Sequence, residues 1–92
     1  MPKTVEHFSL VRLKSIKKLH DVHRSSGSRS EYIGHRGEAY IIESEHRHPG
    51  KRYVYFTNHD TIRFSTGYGS YSVSNDILRM RTENTIYEFE IL

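Results

Sequence analysis

Ninety-two residues, 35% of them hydrophobic and 27% charged, are enough for one domain with one small core. The chain has no cysteine, which excludes disulfides, thiolate chemistry and Cys-ligated zinc or iron–sulfur clusters. The net charge of +3 is unevenly spread: residues 1–36 hold eight Lys/Arg against three Asp/Glu, whereas residues 37–92 hold six against eight.

Taken in chain order, Ser9 to Arg24 (SLVRLKSIKKLHDVHR) is the one helix candidate. Val11, Ile16, Leu19 and Val22 fall on one side at helical spacing, Phe8 extends the stripe, and Ser9 is placed to cap the start. Leu10 and Leu13 fall off that stripe, so Phe8 to Leu13 also reads as a strand leading into a shorter helix near Ser15. Ser25-Ser26-Gly27-Ser28 would end the helix.

The rest reads as short strands separated by turns. Glu31 to Ile33 precedes Gly34-His35-Arg36-Gly37, where two glycines permit positive φ. Ala39 to Glu43 is a strand with an apolar middle, and Pro49-Gly50 signals a type II turn. Arg52 to Thr57 and Thr61 to Ser65 flank Asn58-His59-Asp60. A three-residue loop there predicts Val54 opposite Phe64, Phe56 opposite Ile62, and Tyr55 opposite Arg63 on the outside. Gly67 to Tyr71 reads as a mobile connection, with Tyr71-Ser72-Val73 as a short strand.

The last fourteen residues (RMRTENTIYEFEIL) alternate apolar and polar around Glu83-Asn84, the pattern of a hairpin. A two-residue loop pairs Thr82 with Thr85, Met80 with Tyr87, Leu78 with Phe89 and Arg79 with Glu88. The expected architecture is α+β: one N-terminal helix packed on a small, curved, five- or six-stranded antiparallel sheet or barrel. All of residues 1–92 fall in a single domain.

No apolar run approaches the roughly 18 residues of a membrane-spanning helix. The segment MPKTVEHFSL lacks the features of a secretory signal, so a cytoplasmic setting without a membrane partner is expected.

Seven histidines include the pairs His20/His23 and His46/His48, whose spacing suits a shared metal ion. Arg47, Lys51 and Arg52 surround the second pair, and no carboxylate motif accompanies either, so no metal or cofactor is expected. A ribonuclease-like toxin would draw on Tyr55, His59, Arg63 and Arg81. A protein-binding reading would use the loop at residues 66–76, with Tyr68 and Tyr71 as contact rings.

The preferred reading is a non-enzymatic binding protein for a phosphate-rich ligand, nucleic acid or nucleotide. Its candidate ligand residues are Lys14, Lys17, Lys18 and Arg24 on the basic helix, and Arg29 and Arg36 in the following loops. Arg47, Lys51 and Arg52 bracket the turn, Tyr55 and Arg63 lie on the sheet, and Tyr68 and Tyr71 in the Tyr-Gly connection offer rings for stacking. Basic residues interleaved with aromatics on a curved sheet suit single strands and nucleotides. Oligomeric state is left open, with a homodimer through a sheet edge as one option.

Thr82-Glu83-Asn84-Thr85-Ile86-Tyr87-Glu88-Phe89, with Ser28-Arg29-Ser30-Glu31-Tyr32-Ile33-Gly34 upstream, resembles small uncharacterised proteins of Gram-positive phages and mobile elements. That resemblance implies a bacterial host cytoplasm and a binding role: nucleic acid, or an inhibitor or adaptor of a host or defence protein. His35-Arg36-Gly37, Phe64-Ser65-Thr66-Gly67 and Glu88-Phe89-Glu90 also resemble, in order, the Arg, Ser-Thr-Ser and Glu-x-Glu elements of ADP-ribosyltransferases. The central element reads Ser-Thr-Gly here, and Glu88 is already the cross-strand partner of Arg79. No catalytic role is assigned.

Overall fold

The computed structural model describes residues 3–19, 32–45 and 49–92. Among them the structure is all-β, with seven antiparallel strands in one sheet. These are β1 (Lys3–Lys18), β2 (Arg36–Glu43), β3 (Arg52–Thr57), β4 (Arg63–Ser65), β5 (Gly69–Ser74), β6 (Ile77–Thr82) and β7 (Thr85–Ile91).

The expected α+β class is therefore overturned. The N-terminal helix is replaced, as far as Lys18, by a sixteen-residue strand; its remainder, residues 20–24, lies outside the described residues. The cause is visible in the register. One extra residue enters β1 between Thr4 and Glu6, another between Phe8 and Val11, and another between Leu13 and Ser15. Each such bulge lengthens the spacing of inward side chains from two residues to three. Phe8–Val11 and Leu13–Ile16 are consequently three apart, which imitates the i, i+3 step of a helix. The reading of Phe8 to Leu13 as a strand holds.

The sheet closes on itself. β1 pairs with β2 through its first half and with β7 through its second, β7 with β6, β6 with β5, and β3 with β2. β4 and β5 lie along the same edge of β3, β4 through Ser65, Phe64 and Arg63 and β5 through Gly69 opposite Arg52. Together they act as one strand interrupted at Thr66–Tyr68. Thr66 repairs the interruption: its amide donates to the Val54 carbonyl at 2.9 Å, and its hydroxyl accepts from the Val54 amide at 3.0 Å. A short barrel results, with its core inside.

Val11, Leu13, Ala39, Ile41, Val54, Phe56, Leu78, Met80 and Phe89 are all fully buried there. Phe56 packs against Phe64 and Phe89, each ring pair 5.5 Å apart, and Tyr32 stacks on Phe64 at 5.7 Å. Burial of each large side chain contributes about 1.5–3 kcal/mol.

The closing hairpin has the expected register: Leu78 faces Phe89, Arg79 faces Glu88 and Met80 faces Tyr87. Thr82 and Thr85 meet through the Thr82 hydroxyl, which accepts from the Thr85 amide at 3.2 Å. The β3–β4 hairpin is displaced by two residues. Phe56 faces Phe64, Thr57 faces Arg63, and Tyr55 faces Ser65. The Asn58 side chain accepts from the amides of Asp60 and Ile62, both at 2.9 Å, and so organises a five-residue loop in place of the expected three. A two-residue slip preserves faces, so Val54, Phe56, Ile62 and Phe64 remain inside.

Of the two glycines expected to take positive φ, only one does. Gly34 has φ +95°, but Gly37 is there for space, since a Cβ on it would lie 2.5 Å from the Thr57 carbonyl oxygen. Gly50, with φ +79°, fits the expected turn. The supposed mobile connection from Gly67 to Tyr71 becomes strand from Gly69 onward. Asn75 and Asp76, with φ of +52° and +61°, make the tight turn into β6.

Candidate ligand-binding face of the barrel

Side chains opposite one another in antiparallel strands share a face. With the core inside, the remaining positions form two dissimilar outer surfaces.

The outer surface of β1, β2 and β3 is aromatic and internally bonded. His7, opposite Tyr40, stacks on its ring at 4.5 Å, and Tyr40 in turn lies 6.1 Å from Tyr55. Glu38 accepts from His7 at 2.9 Å and, through its other carboxylate oxygen, bonds His59 in the β3–β4 loop. Burial, reinforced by the charge and hydrogen bond of Glu38, pushes the Tyr40 hydroxyl above its ordinary pKa. Tyr53 meets Tyr68 edge to face at 5.6 Å.

The outer surface of β5, β6, β7 and the second half of β1 is built in rows. The first runs Ser70, Arg81, Ile86, Lys17; the second runs Ser72, Arg79, Glu88, Ser15. A third runs Ser74, Ile77, Glu90, Arg12, with Arg36 opposite Arg12 on β2. Serine at every second position of β5 leaves a groove beside the longer side chains of β6. One part of it, of about 240 Å³, is lined by Ser70, Tyr71, Ser72, Arg79, Arg81 and Ile86. Its continuation reaches Ser74, Ile77 and Glu88.

Charge differs from row to row. Glu88 accepts from Ser15 at 3.0 Å and pairs with Arg79 at 3.7 Å, so the second row is neutralised. Glu90 pairs with Arg12 in the third. Arg81 and Lys17 in the first row are exposed and pair with no carboxylate among the described residues. At about 4.8 Å per strand, that row spans roughly 14 Å.

The sequence-derived candidates do not form one interface. Lys14, Lys17 and Lys18 are exposed, as expected, but on β1 rather than on a helix. Arg36 joins the third row. Lys51 is exposed at the barrel end, where Arg52 pairs with Glu43 at 3.1 Å and lies 5.8 Å from the Tyr71 ring. Tyr71 is turned toward the core, its hydroxyl donating to Glu6 at 2.8 Å. Its pKa is raised by burial first and then by Glu6, with Arg52 opposing.

Tyr55 and Arg63 lie on the aromatic side, and Tyr55 has Tyr40 rather than Arg63 as its ring neighbour. Tyr68, 38% exposed, lies in the interruption between β4 and β5, two residues before Ser70. Arg24, Arg29, Arg47 and the histidine pairs 20/23 and 46/48 lie outside the described residues. The proposed contact loop at 66–76 is mostly strand β5 and its turn.

Arg81 entered the sequence reading only as one toxin candidate, and Ser70, Ser72 and Ser74 not as a set. Their period-two spacing was the available signal. Among the described residues no group of three His, Asp or Glu is placed to hold a metal ion. Comparisons with protein-family models, with curated proteins and with solved structures each return no match.

Proposed function

We propose that the protein binds a phosphate-rich ligand, single-stranded nucleic acid, across the outer face of β5, β6, β7 and β1. The observation carrying this reading is the first row, where Arg81 and Lys17 flank Ile86 with no carboxylate partner among the described residues. Ser70 and Ser72 lower the wall beside them and supply hydroxyls for phosphate or sugar oxygens. Tyr68, 38% exposed and two residues before Ser70, supplies an aromatic ring against which a base can stack. The packed core leaves the outside of the barrel as the surface for a ligand.

A labelled oligothymidylate or oligouridylate titrated by fluorescence anisotropy tests this. Affinity should fall steeply as salt rises, because phosphate contacts release counterions. Arg81→Glu and Lys17→Glu should each weaken binding about tenfold, near 1.4 kcal/mol. Affinity that ignores both salt and Arg81→Glu would remove the reading.

A further inference from the structure

Closure of the barrel leaves part of β5 with a neighbour on one side only. Gly69 pairs with Arg52 of β3, but from Ser70 to Ser74 the strand pairs with β6 alone among the described residues. Ser70, Ser72, Val73 and Ser74 are exposed, Val73 to 46%. Such an edge presents amides and carbonyls ready to accept another strand.

The molecule has a second open edge, and it is protected. From Lys3 to Phe8, β1 pairs only with β2 among the described residues, but it carries Lys3, Glu6 and His7 and two register shifts follow one another along it. Charges and bulges are the devices that keep an edge from pairing with another chain. β5 has neither. Gly69-Ser70-Tyr71-Ser72-Val73-Ser74 contains no charge and no proline, and its register with β6 is unbroken.

We propose that this edge pairs with the same edge of a second copy of the chain, antiparallel and two-fold symmetric about Ser72. In that register Ser72 meets Ser72 of the other copy, Ser70 meets Ser74, and Tyr71 meets Val73. The outer face of the junction is then all serine, small enough to pack without obstruction. The inner face carries two Tyr–Val pairs, a favourable cross-strand combination that covers the exposed valine. Gly69, occupied by Arg52, bounds the free edge at one end, and the Asn75-Asp76 turn bounds it at the other. A shift of two residues would keep the faces but shorten the pairing. The two grooves would then lie on one continuous outer face. The dimer itself does not depend on the nucleic-acid reading.

One strand pair is a small interface, so the dimer is expected to be weak and concentration-dependent. Sedimentation equilibrium should show the mass rising from 10.9 kDa toward twice that value as concentration increases. Ser72→Lys sets two like charges face to face at the axis and should hold the protein monomeric, with an unchanged circular dichroism spectrum. Ser72→Cys introduces the only thiol in the chain. Under mild oxidation it should form a disulfide-linked dimer at least tenfold faster than Ser65→Cys, an exposed position on β4. A wild-type protein monomeric up to millimolar concentration overturns the proposal. So does a dimer untouched by Ser72→Lys, which would use another face, or equal cross-linking of the two cysteine variants.

Discussion

Two outer surfaces of one barrel, produced by the same alternation of side chains, differ in what they leave unsatisfied. On β1, β2 and β3, His7, Tyr40, Tyr55, Glu38 and His59 bond or stack with one another. On β5, β6 and β7 the serines are too short to cover the arginines, and Arg81 has no carboxylate opposite it, only Ser70 and Ile86. A surface whose polar groups already meet one another resembles scaffold, whatever its aromatic content. A surface with small residues beside a lone guanidinium has capacity left for a ligand. Ring count alone would favour the first surface, whereas partner accounting points toward the second.

The comparison can be broken hardest at Gly69. A Cβ there would lie 1.9 Å from the Arg81 carbonyl oxygen, whereas one on Gly67 would meet nothing nearer than 3.8 Å. Gly69→Ala should therefore cost about 3 kcal/mol in urea unfolding and Gly67→Ala less than about 1 kcal/mol. Binding probes come next. Arg81→Glu should weaken oligonucleotide affinity about tenfold, while Arg63→Glu on the aromatic side should change it less than about twofold. Equal effects would mean that the ligand ignores the distinction between the two surfaces.

Glu38→Gln removes the charge that His7 and His59 share. It should lower stability by about 0.5–1 kcal/mol, with oligonucleotide affinity unchanged. The smallest effect is alkaline. Tyr40 and Tyr71 have pKa values raised above their ordinary 10.0, so the folded state holds these protons more tightly than the unfolded chain does. Their contribution is fully present below pH 10 and is lost as pH climbs through the raised values. Tyr40→Phe and Tyr71→Phe should each flatten the fall in stability above pH 10, measured by unfolding midpoints.

Legibility followed the range of the forces involved. In the closing hairpin, alternation and turn lie within fourteen residues, and the register of Leu78, Met80, Tyr87 and Phe89 could be written down directly. In the β3–β4 hairpin the inward residues were legible but the register was not, because Asn58 organises its loop through side-chain hydrogen bonds that strand patterning does not encode. In β1 even the element type misled, because bulges stretch its spacing to a helix-like three. The binding face was the least legible part. Lys17 was visible as a basic residue, but only its place opposite Ile86 puts it in one row with Arg81.

The sequence by itself determined which residues of the later strands face inward, because a two-residue period is a local property of the extended chain. It also determined the final hairpin's register and the absence of thiol chemistry. Closure of the sheet decided everything that depends on which strands meet: the bending of β1 from β2 to β7, the interruption between β4 and β5, and the row shared by Lys17 and Arg81. Those pairings join residues far apart in the chain, and their energy comes from burying one common core, so no local pattern could have announced them.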